Sequence, residues 1–317
     1  MTTGRDITIV EVGPRDGLQN EKGVISTDDK VELIRLLASA GLRRIEATAF
    51  VSEKWVPQMA DHDTVMRRAI RREGLELSAL VPNEKGARAA IAAGAQELAV
   101  FASASEAFAM KNTNCTIAES IERFMPVLAL AKASGLPVRG YVSCAVECPY
   151  EGAIAPAAVA RVSERLAQIG CAEIAVADTI GRAVPERVDA MLRSVVGVIP
   201  AGRLACHFHD TSGMALANVD VALEQGIGVF DSAAGGLGGC PYAPGAAGNL
   251  ATGALARHLS RLGYQHGIDL GLLDIAEAFA QKLAHRAGAD RSGTPARATI
   301  RHLPDLGGGI GECDVAE

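Results

Sequence analysis

Two periodicities alternate along the chain. Short apolar runs rich in β-branched residues are separated by longer Ala- and Leu-rich stretches with helical spacing. The short runs predict strands at 7–12, 44–49, 76–81, 97–102, 138–143, 173–177, 203–209 and 229–233. The longer stretches predict helices at 27–40, 56–72, 84–93, 117–134, 156–169, 184–199, 214–225 and 249–262. Thr27-Asp28-Asp29-Lys30 and Thr116-Ile117-Ala118-Glu119 carry helix-start signals, the second as a capping box. Gly41, Gly94, Gly135, Gly170 and Gly226 each fall just past a predicted helix, where a left-handed residue is needed. Eight β-then-α units imply a parallel sheet. Closed on themselves they make an α/β fold of the TIM (β/α)8 barrel type, with the active site at the C-terminal ends of the strands. An open doubly wound sheet is the alternative, but no G-x-G-x-x-G follows the first strand.

A further amphipathic stretch at 269–286 predicts a C-terminal helical extension against the barrel exterior. Residues 288–317 lose all period and include Gly307-Gly308-Gly309, which predicts a mobile tail. The expected division is a barrel domain over 1–287 and a tail over 288–317.

Composition sharpens this picture. Of 317 residues 49% are hydrophobic but only 4% aromatic, so the core must be built from Ala, Val, Leu and Ile, which suits a crowded barrel interior. A net charge of -6 speaks against nucleic-acid binding, and an anionic substrate would need a local positive site. The chain has no apolar run long enough to predict a membrane span. The first residues show neither a secretory nor a mitochondrial leader pattern, and the seven cysteines are unevenly spaced. Reduced thiols in a cytoplasmic protein are the expectation.

Three polar clusters end predicted strands. Glu11-Val12-Gly13-Pro14-Arg15-Asp16-Gly17 closes the first, which places Arg15 and Asp16 at the barrel rim, as a solvated pair or as site residues. Cys206-His207-Phe208-His209-Asp210 ends the seventh, and strand alternation sends His207 and His209 to one face. Such a pair can grip one metal ion. Asn249 follows a glycine-rich loop and opens the last predicted barrel helix, as a plain N-cap or as an oxygen ligand. Asp16, His207, His209 and Asn249 together offer two nitrogens and two oxygens, a set suited to Mg2+ or Mn2+. Glu46 and Asp178 end two further strands, either to orient an Arg or His or to serve as structural partners. Cys144 and Cys148 lack a second pair to complete a metal site, so packing is expected of them. The loop Gly235-Gly236-Leu237-Gly238-Gly239-Cys240-Pro241-Tyr242 holds one thiol among glycines, where the backbone can approach a substrate closely.

These motifs, with 50–52, 55–59, 139–144 and Asp178-Thr179-Ile180-Gly181, resemble those of the 3-hydroxy-3-methylglutaryl-CoA lyase family. The resemblance runs from about Ile7 to about Leu283. It implies a barrel domain of the pyruvate carboxyltransferase type. It also implies cleavage of (S)-3-hydroxy-3-methylglutaryl-CoA to acetyl-CoA and acetoacetate by a retro-Claisen step, with Mg2+ or Mn2+ and no organic cofactor. By the same resemblance Asp16, His207, His209 and Asn249 hold the metal. Cys240 is the catalytic thiol and Arg15 the cation at the thioester carbonyl, while His207, Asp16 and metal-bound solvent are the candidates to take the hydroxyl proton. Glu46, Asp178 and Glu11 stand around the site, and Gly238 and Gly239 form its loop. An acyl-CoA partner, a homo-oligomer (dimer or tetramer) and a role in leucine breakdown and ketone-body formation are expected. A Claisen-condensing acyltransferase and a non-catalytic barrel are the competing readings. One departure stands out. An acidic pair common in the family is replaced by Gly253-Ala254, and Ser212 stands where Tyr is common. Both are expected to open space or remove polar contacts at the rim, and so either to weaken activity on the usual substrate or to admit a larger 3-hydroxyacyl-CoA.

Overall fold

The computed structural model describes residues 6–21, 23–238 and 248–289. The expected tail lies outside the described residues from 290 onward, as do Gly239 and Cys240. Eight strands close into a parallel barrel: β1 (Thr8–Glu11), β2 (Arg44–Ala49), β3 (Glu76–Leu80), β4 (Glu97–Ser103), β5 (Val138–Ser143), β6 (Glu173–Asp178), β7 (Leu204–Phe208) and β8 (Val229–Ser232). Each lies where its apolar run predicts it. β1 pairs with both β2 and β8, which removes every sheet edge. The strands are buried on both faces because side chains fill the lumen and helices cover the outside.

The outer helices are α1 (Thr27–Ser39), α2 (His62–Arg68), α3 (Glu84–Ala93), α4 (Glu106–Thr113), α5 (Ile117–Ala133), α6 (Pro156–Gln168), α7 (Pro185–Val196), α8 (Ala215–Glu224) and α9 (Thr252–Arg261). Local signals set their ends. The Ser26 side chain accepts from Asp29 N ahead of α1, and Thr116 and Glu119 form the expected capping box of α5. All five glycines expected past helix ends have positive φ. The C-terminal extension is α10 (Leu270–Ala289), which lies against α1 and buries Leu273, Ala276, Ala280 and Leu283. No described helix is long and apolar enough to cross a membrane.

Three departures from expectation have local causes. The helix expected over 56–72 shrinks to a single turn at Pro57–Met59 and then α2, since the chain turns extended at Ala69. Helix α4 was not expected. Its apolar residues form no stripe, and it begins because the Ser105 hydroxyl accepts from Phe108 N. The helix expected to start at Asn249 starts at Thr252 instead. Residues 249–251 are extended, with Asn249 bridged to His209 and Ala251 to Ala233. Asn249 is therefore not a helix cap. Cys144 packs with Phe108 and with Cys148, itself part of the small hairpin Glu147–Cys148 and Gly152–Ala153, as a packing role requires.

Candidate active site

The rim begins with one wide, π-type helical turn, Gly13–Gly17, directly after β1. The N–H groups of Arg15, Asp16 and Gly17 all donate to Val12 O, at 3.1, 2.8 and 3.2 Å. That turn aims Arg15 and Asp16 across the mouth of the barrel. Arg15 is 7% exposed. Its Nε and Nη2 donate to Glu46 Oε2 at 2.7 and 2.6 Å, and its Nη1 donates to Asp16 Oδ1 at 2.5 Å. Burial would push the Asp16 carboxyl up, but the Arg15 guanidinium and the facing histidines hold it well below the usual carboxylate range. Burial does push Glu46 up in spite of Arg15. Its Oε1 is buried and has no hydrogen-bond partner among the described residues.

Asp16, His207 and His209 converge, as the motifs predict. His207 Nε2 lies 3.2 Å from His209 Nε2, and Asp16 Oδ2 lies 3.9 Å from each. A point equidistant from the three atoms is about 2.1 Å from each, the bond length that divalent cations such as Mg2+ prefer, ~2.0–2.2 Å. The three residues thus fit one metal ion and leave open positions on its outer side. Asn249 reaches the same place from the segment that runs between the ends of β7 and β8. Its Nδ2 donates to Asp16 Oδ2 at 2.9 Å and to Leu237 O at 3.1 Å. It therefore presents nitrogen, and a ligand role requires the amide to turn over. Gly238 lies against it with φ 96, and a Cβ there would meet Asn249 Nδ2 at 2.7 Å.

Three buried polar residues next to the site escape the strand-end motifs because they sit deeper in the lumen. Asp231, on β8 beside His207, faces His207 Nδ1 at 3.1 Å from Oδ2. Arg139, 1% exposed on β5, donates to Asp231 from Nη1 at 3.1 Å and from Nη2 at 2.6 Å. Burial works against Asp231, but Arg139 and His207 together outweigh it and hold the carboxyl at about 2. Tyr141 lies between them and the rim. Its ring is edge-on to His207, and Arg15 and Arg139 sit 5.8 and 4.9 Å from its centroid. The signal for Asp231 was available, since Asp is disfavoured in the middle of an apolar strand.

Asp178 and Glu11 hold backbone. Asp178 accepts from Ala183 N at 2.9 Å and Arg182 N at 3.3 Å, which shapes the turn after β6. Glu11 Oε1 accepts from Gly13 N and Ala234 N, both at 2.8 Å, and Thr252 Oγ1 is 2.7 Å from Oε2. It ties the Arg15 turn to the foot of the glycine loop. Burial pushes its carboxyl up to about 7. The folded state therefore favours the neutral acid, and this group's share of stability falls as pH rises from about 4.5 to about 7. By linkage that share is about 3 kcal/mol. Glu11→Gln keeps the acceptor and removes the titration. Its stability relative to wild type, measured by urea unfolding, is expected to rise between pH 5 and 7.5. An unchanged difference would show that Glu11 is ionised throughout.

The expected widening of the rim at Gly253 is not seen. The space a Cβ on Gly253 would take is occupied by the Glu277 carboxylate of α10 and by Arg257 Nη1 of α9. Ser212 is likewise engaged, its hydroxyl donating to Gly181 O at 2.6 Å.

A closed barrel with two histidines, a carboxylate and a buried Arg at the C-terminal rim defines a metal-site enzyme barrel. Comparison with known proteins makes this particular. The chain matches the HMGL-like family over residues 6–279 and belongs to it. It is 52% identical to an Arabidopsis thaliana protein named hydroxymethylglutaryl-CoA lyase, mitochondrial, over 90% of this chain and 61% of that one. The crystal structure of the HMG-CoA lyase from Brucella melitensis superposes with a TM-score of 0.88 at 54% identity, covering 89% of this chain and 99% of that one. An HMG-CoA lyase from Acinetobacter baumannii, solved with coenzyme A and 3-methylmalate, has a TM-score of 0.84 at 35% identity, covering 94% and 98%. Relatives carry both mitochondrial and cytoplasmic names.

Proposed function

We propose that this chain cleaves (S)-3-hydroxy-3-methylglutaryl-CoA to acetyl-CoA and acetoacetate by a metal-dependent retro-Claisen step. The observation that carries the reading is the convergence of Asp16, His207 and His209 on one cation-sized point beside Arg15. Relatives named as lyases, one of them solved with coenzyme A, support the substrate class. A Mg2+ or Mn2+ ion held there, with Asn249 turned to offer its oxygen, would act as a Lewis acid on the substrate hydroxyl and acidify it. Arg15 carries a fixed positive charge to the place where the thioester oxygen becomes an enolate. Glu46 keeps that guanidinium in place by accepting from two of its nitrogens. Asp231 engages Nδ1 of His207 and so leaves Nε2 to face the metal. Cys240 follows the loop stem in sequence and is the proposed acid that protonates the enolate carbon, giving acetyl-CoA.

The test is a coupled acetyl-CoA release assay on metal-stripped protein, with and without Mg2+ or Mn2+. Turnover is expected only with an ion present, and Cys240→Ser is expected to lower it by about 10²-fold or more. No acetyl-CoA with either ion would overturn the reading, and full activity in Cys240→Ser would remove the thiol from it.

A further inference from the structure

Glu277 lies on α10, outside the barrel and apart from the residues that face the proposed metal. Its Oε1 nevertheless accepts from two backbone groups of the site's frame, Gly235 N at 2.9 Å and Gly253 N at 2.8 Å. Two segments distant in sequence thus share one oxygen. Gly235, with φ 64, begins the stem of the glycine loop, and Gly253 lies in the first turn of α9. The fit is close on both sides. A Cβ on Gly253 would lie 2.4 Å from Glu277 Oε2, and one on Gly235 would lie 2.9 Å from Gln281 Cγ, one turn further along α10.

The stem leads straight to the site. Leu237 O accepts from Asn249 Nδ2 at 3.1 Å, and that same nitrogen donates to Asp16 at 2.9 Å. Gly238 touches both, since a Cβ there would meet Asn249 Nδ2 at 2.7 Å and Asp16 O at 3.3 Å. Glu11 holds the neighbouring N–H of Ala234 from inside the barrel. The turn 234–236 is therefore gripped from the inside by β1 and from the outside by α10.

We infer that Glu277 is a positioning residue for the active site, locking the loop stem at Gly235 to the start of α9 and so setting Asn249, with the reactivity of Cys240 as a reporter further along the chain. The inference rests on the lyase reading for its kinetic consequence, but not for its effect on the thiol. Gly253 follows from it. A side chain there would have to displace the carboxylate of Glu277 and Arg257 Nη1.

The experiment compares Glu277→Ala, Glu277→Gln and Gly253→Ala in the full chain. One readout is the rate of Cys240 alkylation by iodoacetamide, followed by peptide mass spectrometry. The other is kcat and KM for acetyl-CoA release. Glu277→Ala is expected to change the alkylation rate several-fold and to lower kcat on the order of tenfold, with KM within about twofold. Glu277→Gln keeps an acceptor oxygen and is expected to stay within about twofold of wild type on both. Gly253→Ala is the second route should Glu277→Ala fail to fold. Helix propensity alone makes it benign or stabilising, whereas displacement of the carboxylate gives it the Glu277→Ala phenotype. Wild-type alkylation and kcat in folded Glu277→Ala or Gly253→Ala would overturn the inference. A wild type with no turnover would count against the lyase reading alone, and the alkylation comparison would still decide the role of Glu277.

Discussion

Asp16→Asn is expected to lower turnover by about 10³-fold while leaving the fold intact. Asp16 supplies the only negative charge among the three converging residues, because both partners are imidazoles. It is held ionised: burial opposes its charge, but Arg15 and the two histidines favour it more. Asparagine keeps the shape and one acceptor oxygen, and Arg15 keeps Glu46. What disappears is the anionic ligand. Losing several kcal/mol of charge stabilisation at about 1.4 kcal/mol per tenfold gives the expected factor. Direct binding of Mn2+, read from the free-ion EPR signal, is expected to weaken by about 10²-fold or more without substrate present. Binding and turnover both within tenfold of wild type would remove Asp16 from the metal site.

The barrel was legible because its signal is local. Each strand is a short apolar run, each helix has its own stripe or cap, and eight repeats leave few topologies. Asp16, His207 and His209 were legible for a related reason, since strand ends point to one rim whichever strands are neighbours. The resemblance to the lyases then assigned them roles that spacing alone left open. What stayed hidden depends on distant pairs. Asp231 and Arg139 meet only because β8 and β5 face each other across the lumen at one height. Asn249 could be read as a helix cap or as an oxygen ligand, and the cap reading fails because its pairing with His209 draws residues 249–251 into an extended path. Gly253 looked like added room because Glu277, which fills that room, sits on a helix no local pattern brings there.

Asp231→Ala is expected to cost about 3–5 kcal/mol of stability and to lower turnover through His207. Arg139 is fully enclosed, and Asp231 takes two of its nitrogens, leaving Glu173 at 2.8 Å from Nε. Removing Asp231 takes away the carboxylate that meets both Nη atoms of a buried guanidinium and leaves it only partly compensated, which accounts for the size of the loss. Melting is expected to fall by roughly 10 °C at about 2–4 °C per kcal/mol. The pH dependence follows from the carboxyl held at about 2. Because that value is depressed, its stabilisation is fully present above about pH 4 and is lost as pH falls towards 2. Wild type therefore owes about 2 kcal/mol of its acid sensitivity to this group. Asp231→Ala is expected to lose that slope between pH 4 and 2 in urea unfolding. Replacing both partners, as in Arg139→Met with Asp231→Leu, separates the two roles. An apolar pair of similar volume can restore much of the stability. It returns no acceptor to His207 Nδ1, so turnover is expected to stay about 10- to 100-fold low. Turnover that recovered together with stability would show that Asp231 supports the barrel floor and does not orient His207.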